Sequence, residues 1–322
     1  MFVLKKPIIM NLNTLEYIVA LDAHRNFVKA AQACGVSQPT LSTMIKNLEA
    51  ELDVVIFDRN SHPVRPTIIG EKIIAQAKVT LSNAAYIEEL AASERGVESG
   101  SLSIGIIPTI APYLLPGIFR GFNEKHRSIN LKASEIRTSV IVEQLKKADI
   151  DIGIMATPLG IDGFLEIPLY YEKFLLYVSP QEAISSSSEV HSEELPSDHL
   201  WVLQEGHCLR NQVFNFCHKQ SSYSSVYEAG SIDTLIKIVD ANGGYTVIPE
   251  LHLPFLSEKQ KANVRPLLSD GSQFSAPVRE VSLVIREDYM RERFLNILAD
   301  TIKEIIPESM LDSRLKKFAI KI

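Results

Sequence analysis

The segment best suited to covalent chemistry contains two cysteines in a short polar and aromatic stretch. Residues 206–217 read GHCLRNQVFNFC, with His207 and Arg210 flanking Cys208. Positive charge and a helix N-terminus both stabilise a thiolate, which is the form of cysteine that attacks peroxide. One interpretation is therefore a redox site in which Cys217 resolves a sulfenic acid formed on Cys208.

The same residue types leave two other interpretations open. The thiols also fit buried core cysteines beside a surface basic pair. A zinc site is the third interpretation, because His207-Cys208 and Cys217-His218 form a mirrored set of ligand types. Adjacent His and Cys do not normally converge on one ion, however, and the spacing fits no finger or ribbon. We therefore expect no metal and no other cofactor, and we assign the remaining cysteine, Cys34, to a helix core.

Length and composition exclude several classes of protein. The 322 residues predict two or three domains, and 46% apolar with 22% charged residues is the balance of a globular protein. No apolar run is long enough for a transmembrane helix or a secretion signal, so we expect a cytoplasmic protein without membrane contact. Three cysteines are too few for a disulfide scaffold.

Net charge alone does not decide whether the chain binds nucleic acid. The chain carries a net charge of −6, while residues 1–96 contain ten basic and ten acidic residues. The N-terminal third is thus less acidic than the remainder, but it lacks the basic excess of a typical DNA-binding domain.

The first 66 residues predict three short helices followed by two short strands. The first helix ends near His24, the second covers Phe27–Cys34, and the third runs from about Ser37 to Glu51. Residues 54–57 and 64–67 flank a polar loop, as the strands of a wing do. The third helix presents side chains that suit phosphates and base edges in a major groove, although a plain surface helix pair remains the alternative. These side chains are Ser37, Gln38, Thr40, Ser42, Thr43 and Lys46.

Two further patterns follow along the chain. From Thr67 to about Gly96, apolar residues recur every three or four positions for about six turns, which predicts a long helix that pairs with a second copy. After Gly100, strands alternate with helices, which predicts a mostly parallel α/β sheet with ligands at the carboxyl ends of its strands. The expected strands are 101–107, 130–136, 150–155, 173–179, 200–203, 224–228, 245–249 and 281–285.

Residues 27–59, FVKAAQACGVSQPTLSTMIKNLEAELDVVIFDR, resemble the winged helix-turn-helix of LysR-type transcriptional regulators. The resemblance implies a DNA-binding domain at 1–66, a linker and dimerisation helix at 67–97, and a redox-sensing effector domain at 98–322. The effector domain would have two α/β lobes, like a periplasmic binding protein. One departure is PTIIG at 66–70, where the family usually reads Leu-Thr-Pro-x-Gly. The family pattern begins near Met10, so either Met1 or Met10 is expected to be the start codon.

The resemblance to this family also implies partners and DNA-binding residues. The chain is expected to bind promoter DNA as a homodimer or homotetramer. The residues implied at the groove-facing start of the recognition helix, along that helix and on the wing are Ser37, Gln38, Pro39, Thr40, Ser42, Lys46 and Arg59.

Two other segments resemble the hydrogen-peroxide sensors within the family. These are GHCLRNQVFNFC and the residues from Ile107 to Pro116, which include IPT and PYLLP. The resemblance implies a regulator without enzymatic activity that senses hydrogen peroxide through a reversible disulfide, reset by a cytoplasmic thiol reductant. The alternatives are a LysR-type regulator of a small anionic metabolite and a thiol peroxidase. The site residues implied are Cys208 (peroxidatic), Cys217 (resolving), His207, Arg210, Thr109 and Thr138.

Overall fold

The computed structural model describes residues 10–94, 99–195, 199–203, 231–268 and 276–318. The chain divides into two compact units. The first extends to Gly100 and includes Glu143–Ile150, and the second comprises Ser101–Val142 and the residues from Asp151 onward. Among the helices described, none has both the length and the apolar character needed to cross a membrane.

Three capped helices form the core of the first unit. They are α1 (Leu12–His24), α2 (Phe27–Ala33) and α3 (Gln38–Leu52). A polar side chain before each helix accepts hydrogen bonds from first-turn N–H groups, and these caps are Asn11, Asn26 and Ser37. The predicted helices are therefore confirmed to within one or two residues.

The wing and a long helix follow α3. The wing strands β1 (Phe57–Asp58) and β2 (Arg65–Pro66) pair antiparallel and have two residues each, which is shorter than predicted. Helix α4 (Ile68–Glu94) has 27 residues. Its first turns bury Ile74 and Ala77 in the core formed by α1–α3, whereas Ile87 and Leu90 in its second half are exposed. The predicted long helix is confirmed.

The second unit begins with an alternation of strands and helices. The strands are β3 (Gly100–Ile106), β4 (Ile129–Glu135) and β5 (Ile152–Thr157), and β3 and β5 run parallel. Helix α5 (Ala111–Lys125) lies between β3 and β4 in the chain, and α6 (Thr138–Lys146) lies between β4 and β5. These elements form most of the first lobe.

The second lobe and two long shared strands complete this unit. The remaining elements in chain order are β6 (Phe164–Val178), β7 (Val190–His191), α7 (Ile232–Asn242), β8 (Tyr245–Pro249), α8 (Glu258–Lys261), β9 (Val264–Leu268), β10 (Val278–Arg286) and α9 (Glu292–Ile305). The strand order is β4-β3-β5-β10-β6-β9-β7, and β8 also pairs with β6. Because β6 pairs with β10 along its first part and with β8 and β9 along its second, it connects the two lobes.

The expectation of a mostly parallel sheet was wrong. Strand β10 runs antiparallel to both β5 and β6, and β8 and β9 run antiparallel to β6, so the sheet is mixed. The strand expected at 173–179 is only the second half of β6. The strand expected at 200–203 is reduced to isolated bridge residues at Leu200 and Leu203. Strand β9 was not predicted, and residues 224–228 lie outside the described chain. Glu166, Pro168 and Glu172 interrupt the apolar pattern of β6, which explains the late predicted start.

Candidate functional site

Helix α3 has one buried face and one exposed face. Leu41, Ile45 and Leu48 are buried in the helical core. The opposite side of the helix exposes Pro39, Thr43, Lys46, Asn47 and Ala50. The spacing of three and four residues places these side chains on one stripe. This stripe is the surface that a helix-turn-helix offers to a major groove.

The predicted DNA-binding residues at the start of α3 have different surroundings. The Ser37 hydroxyl accepts from Thr40 N at 3.2 Å and lies 2.8 Å from the Thr40 hydroxyl, so these two side chains cap the helix. Gln38 is exposed, and Ser42 is half-buried at the edge of the stripe. Asn47 was not predicted, although the period of the buried residues indicates that it faces outward.

Arg59, the predicted wing contact, is held by α3. Its guanidinium donates to Glu49 Oε2 at 2.7 Å and lies 5.8 Å from the centre of the Phe27 ring. The other oxygen of Glu49 accepts from the backbone N–H groups of Ile56 and Phe57, at 2.8 and 3.1 Å. Arg59 therefore helps to fix the wing against α3, and a contact between Arg59 and DNA stays a prediction. The wing residues His62 and Arg65 are also exposed.

In the second unit, Thr109 and Thr138 follow neighbouring strands. Thr109 lies between β3 and α5 and is 3% exposed, while Thr138 begins α6 after β4. Ile136 N donates to Ile106 O at 3.0 Å, which places the ends of β3 and β4 side by side. The two threonines are thus at the same edge of the sheet, and their role in a peroxide site stays a prediction.

Thr109 is bound by a charged residue that was not predicted from the sequence. Arg279 of β10 is fully buried and donates to Thr109 Oγ1 and to Thr109 O, both at 3.1 Å. Its Nε donates to Glu172 Oε2 at 2.7 Å, and its Nη2 lies 2.6 Å from the same oxygen. The sheet register places Arg279 directly opposite Glu172 on β6. Little in the sequence signals this pair, because Glu172 is followed by Lys173 and Arg279 by Glu280, so neither residue stands out as a lone charge in its strand.

A second polar contact joins the lobes beside this ion pair. The hydroxyl of Tyr113 on α5 lies 2.8 Å from Nδ1 of His252, which is 2% exposed in a turn that follows β8. His252 Nε2 lies 3.9 Å from Asp233 Oδ1 in the first turn of α7. The neighbouring Leu251 N donates to Glu172 Oε1 at 2.9 Å. The turn at Glu250–Phe255 therefore contacts both Tyr113 of the first lobe and the carboxylate of the Glu172–Arg279 ion pair.

Burial shifts the ionisation of these groups. Desolvation raises the pKa of Glu172, and the Arg279 guanidinium and the Leu251 N–H oppose that shift. Desolvation also raises the pKa of Tyr113, so this phenol stays protonated at neutral pH. The pKa of His252 is lowered by burial, with Asp233 acting in the opposite direction. The junction therefore presents one compensated ion pair among neutral hydrogen-bonding groups.

The predicted redox residues His207, Cys208, Arg210 and Cys217 lie outside the described residues, as does the zinc interpretation. Cys34 is described and is half-buried at the end of α2. Its pKa is raised by burial and by the nearby charge of Glu16. A raised pKa favours the unreactive thiol, which supports the assignment of Cys34 to the core.

Comparison with known families accounts for both units. The model of the bacterial regulatory helix-turn-helix protein, lysR family, matches residues 12–71, and the LysR substrate binding domain matches residues 95–305. The chain belongs to the LysR family. Its fold is therefore an N-terminal winged helix-turn-helix followed by a two-lobed α/β effector domain that resembles a periplasmic binding protein.

Individual LysR-family relatives are similar over most of the chain. A protein of Haemophilus influenzae named "Hydrogen peroxide-inducible genes activator" is 34% identical over 304 residues, covering 92% of this chain and 99% of the relative. The Escherichia coli K12 regulator OxyR is 36% identical over 246 residues, covering 76% of this chain and 81% of the relative. A full-length OxyR variant of Pseudomonas aeruginosa matches with a TM-score of 0.77 and 33% identity, covering 91% of this chain and 98% of that one.

Proposed function

We propose that this LysR-family protein is a transcriptional regulator that senses hydrogen peroxide through Cys208 and Cys217. The observation that carries the proposal is the similarity to relatives named as hydrogen peroxide-inducible activators over nearly the whole chain. Two cysteines separated by eight residues support it, because such a pair supplies both an attacking and a resolving thiol.

The chemistry proceeds in two balanced steps. The Cys208 thiolate attacks one oxygen of hydrogen peroxide, an S–O bond forms, and the O–O bond breaks. The departing hydroxide takes up a proton and leaves as water. Cys217 then attacks the sulfenic sulfur, and the hydroxyl leaves as a second water, which gives the Cys208–Cys217 disulfide. A thiol reductant of the cytoplasm restores both thiols.

The junction residues have distinct parts in this proposal. Thr109 and Thr138 provide hydroxyls at the edge of the sheet, and His207 and Arg210 flank the reactive thiol in sequence. Arg279 adds a fixed cation that the resemblance had not supplied. Because Arg279 is fully buried and bonded to both Thr109 and Glu172, it holds the Thr109 hydroxyl in place at this edge of the sheet.

The sequence of residues 208–217 predicts a mostly helical segment, and we propose that disulfide formation remodels it. In an unbroken α-helix, nine residues advance about 13.5 Å along the axis. A disulfide requires Cα atoms within about 7 Å of each other. A helix across 208–217 and the disulfide therefore exclude each other, so oxidation is a conformational switch. The strain offsets part of the stability of the bond, which keeps the bond reducible.

DNA binding couples to this switch through a homodimer or homotetramer. The exposed Ile87 and Leu90 give the second half of α4 an apolar surface for a second copy, so residues 67–97 act as linker and dimerisation helix. Residues 1–66 then bind promoter DNA, and residues 98–322 act as the redox-sensing domain. Residues 1–66 carry a net charge of only +1, from seven basic and six acidic residues. Affinity therefore depends on two paired domains on one site.

The test is a titration of the reduced full-length protein with hydrogen peroxide and a count of free thiols. Of the three cysteines in the chain, two should be lost with stoichiometric peroxide, and none in the Cys208→Ser variant. Sustained peroxide turnover would instead indicate a peroxidase. No loss of thiols would contradict the proposal and favour a regulator of an anionic metabolite.

A further inference from the structure

The buried ion pair between Arg279 and Glu172 lies where the two lobes meet, and it affects which small molecules can bind there. An unpaired arginine in a protein interior attracts small anions strongly, because little solvent screens its charge. Arg279 is fully buried between the lobes and would offer such a site by itself. Its surroundings therefore decide whether the junction accepts an anion.

Glu172 compensates the charge of Arg279 directly. The Glu172 side chain is fully buried, and its Oε2 lies 2.6 and 2.7 Å from two guanidinium nitrogens, which are distances of charge-assisted hydrogen bonds. Its Oε1 is fixed by Leu251 N at 2.9 Å, so the carboxylate cannot turn away. A small anion that approached Arg279 would meet this fixed negative charge.

The neighbouring groups on the same face are neutral hydroxyls. Tyr170 lies two residues before Glu172 on β6, so both side chains project from the same side of the strand. The Tyr170 hydroxyl is buried and has no hydrogen-bond partner among the described residues. Thr109 and Tyr113 add hydroxyls from the other lobe. These groups can donate to or accept from an uncharged hydroxylic molecule.

We propose that Glu172 determines specificity at the lobe junction: by neutralising Arg279, it admits an uncharged hydroperoxide and excludes small anions. This inference rests on the proposed peroxide-sensing function for its kinetic part, but anion binding can be measured without any oxidation. Glu172 acts through Arg279 and does not take part in bond breaking.

The kinetic experiment compares two oxidants that share a peroxide bond and differ in charge. Hydrogen peroxide is neutral and releases hydroxide, which leaves as water, whereas peroxymonosulfate is an anion and releases sulfate. Thiol loss is measured with each oxidant in the wild-type protein and in Glu172→Gln. The ratio of the two rate constants should shift towards peroxymonosulfate by about tenfold or more, because one negative charge beside Arg279 is removed.

Glu280→Gln is the matched control. Glu280 is also a buried glutamate of the central sheet, 5% exposed, but it follows Arg279 directly on β10, so its side chain projects from the opposite face of the strand, where it accepts a hydrogen bond from the Thr157 hydroxyl at 2.8 Å. A merely structural effect of losing a buried carboxylate would change both variants alike. An unchanged ratio in Glu172→Gln, or an equal shift in Glu280→Gln, would overturn the inference.

The second experiment measures anion binding to the reduced protein. At constant ionic strength, formate should raise the melting temperature of Glu172→Gln in a saturable manner and leave the wild type unchanged. If Glu172→Gln does not fold, Glu172→Asp and the wild type still decide, because formate should stabilise neither. Stabilisation of the wild type by formate would overturn the inference. The formate measurement involves no oxidation, so its result is valid even if no thiol reacts with peroxide. Failure of this inference and failure of the proposed peroxide-sensing function can therefore be distinguished.

Discussion

Glu49 of α3 binds the wing residues, and its contacts predict different effects for two substitutions at this position. Glu49→Gln keeps an oxygen in the place of Oε1, so the N–H groups of Ile56 and Phe57 retain their acceptor. It loses only the ion pair to Arg59, whose side chain is 37% exposed. Such a partly exposed pair contributes up to about 1 kcal/mol. Glu49→Ala removes the acceptor as well, and each buried N–H group that loses its acceptor lowers the free energy of unfolding by about 1–3 kcal/mol.

The expected total for Glu49→Ala is therefore about 2–7 kcal/mol, from two N–H groups and the ion pair, against about 1 kcal/mol or less for Glu49→Gln. The assay is hydrogen exchange of the full-length protein, read at the amides of Ile56 and Phe57. Their exchange should accelerate at least about 30-fold in Glu49→Ala and about fivefold or less in Glu49→Gln. Arg59→Ala, which leaves the carboxylate in place, is the control and should resemble Glu49→Gln. Equal acceleration in the alanine and glutamine variants at position 49 would refute the reasoning.

Three other substitutions test further contacts. In Gly70→Ala, the new Cβ would lie 2.0 Å from Ile56 O, so α4 must shift, and thermal melting of the full chain should occur at lower temperature. Burial lowers the pKa of His252 below 6.5, so its neutral form stabilises the fold above that pH and the stability is lost as the pH falls. His252→Gln should therefore flatten the acid side of a pH series of urea midpoints. Thr109→Val removes one acceptor of Arg279, and should lower the free energy of unfolding by about 1–3 kcal/mol and slow thiol oxidation.

Local signals made the first unit predictable. Ser37 caps α3, and the spacing of Leu41, Ile45 and Leu48 defines its buried face, so short stretches of sequence determine the helix and its orientation. The exposure of Thr43 follows from the same period, whereas Asn47, which the period also places outward, was not predicted. The engagement of Arg59 by Glu49 did not follow, because it depends on how the wing folds back on α3.

The second unit was predictable only in part, because its key contacts are distant in sequence. Glu172 and Arg279 meet through the register of β6 and β10, which no local pattern specifies. Their charges also interrupt the apolar runs from which strands are recognised, so β6 was predicted too short. Thr109 was identified through the family resemblance, while its partner Arg279 was found only in the structure.

The central claim is that peroxide acts on Cys208 of this LysR-family regulator. The most direct test treats the full-length Cys217→Ser variant with stoichiometric hydrogen peroxide in the presence of dimedone, which traps sulfenic acid, and maps the label by mass spectrometry. We expect a label on Cys208 and none on Cys34, whose pKa is raised by burial. A label on Cys34 alone, or no label at all, would contradict it.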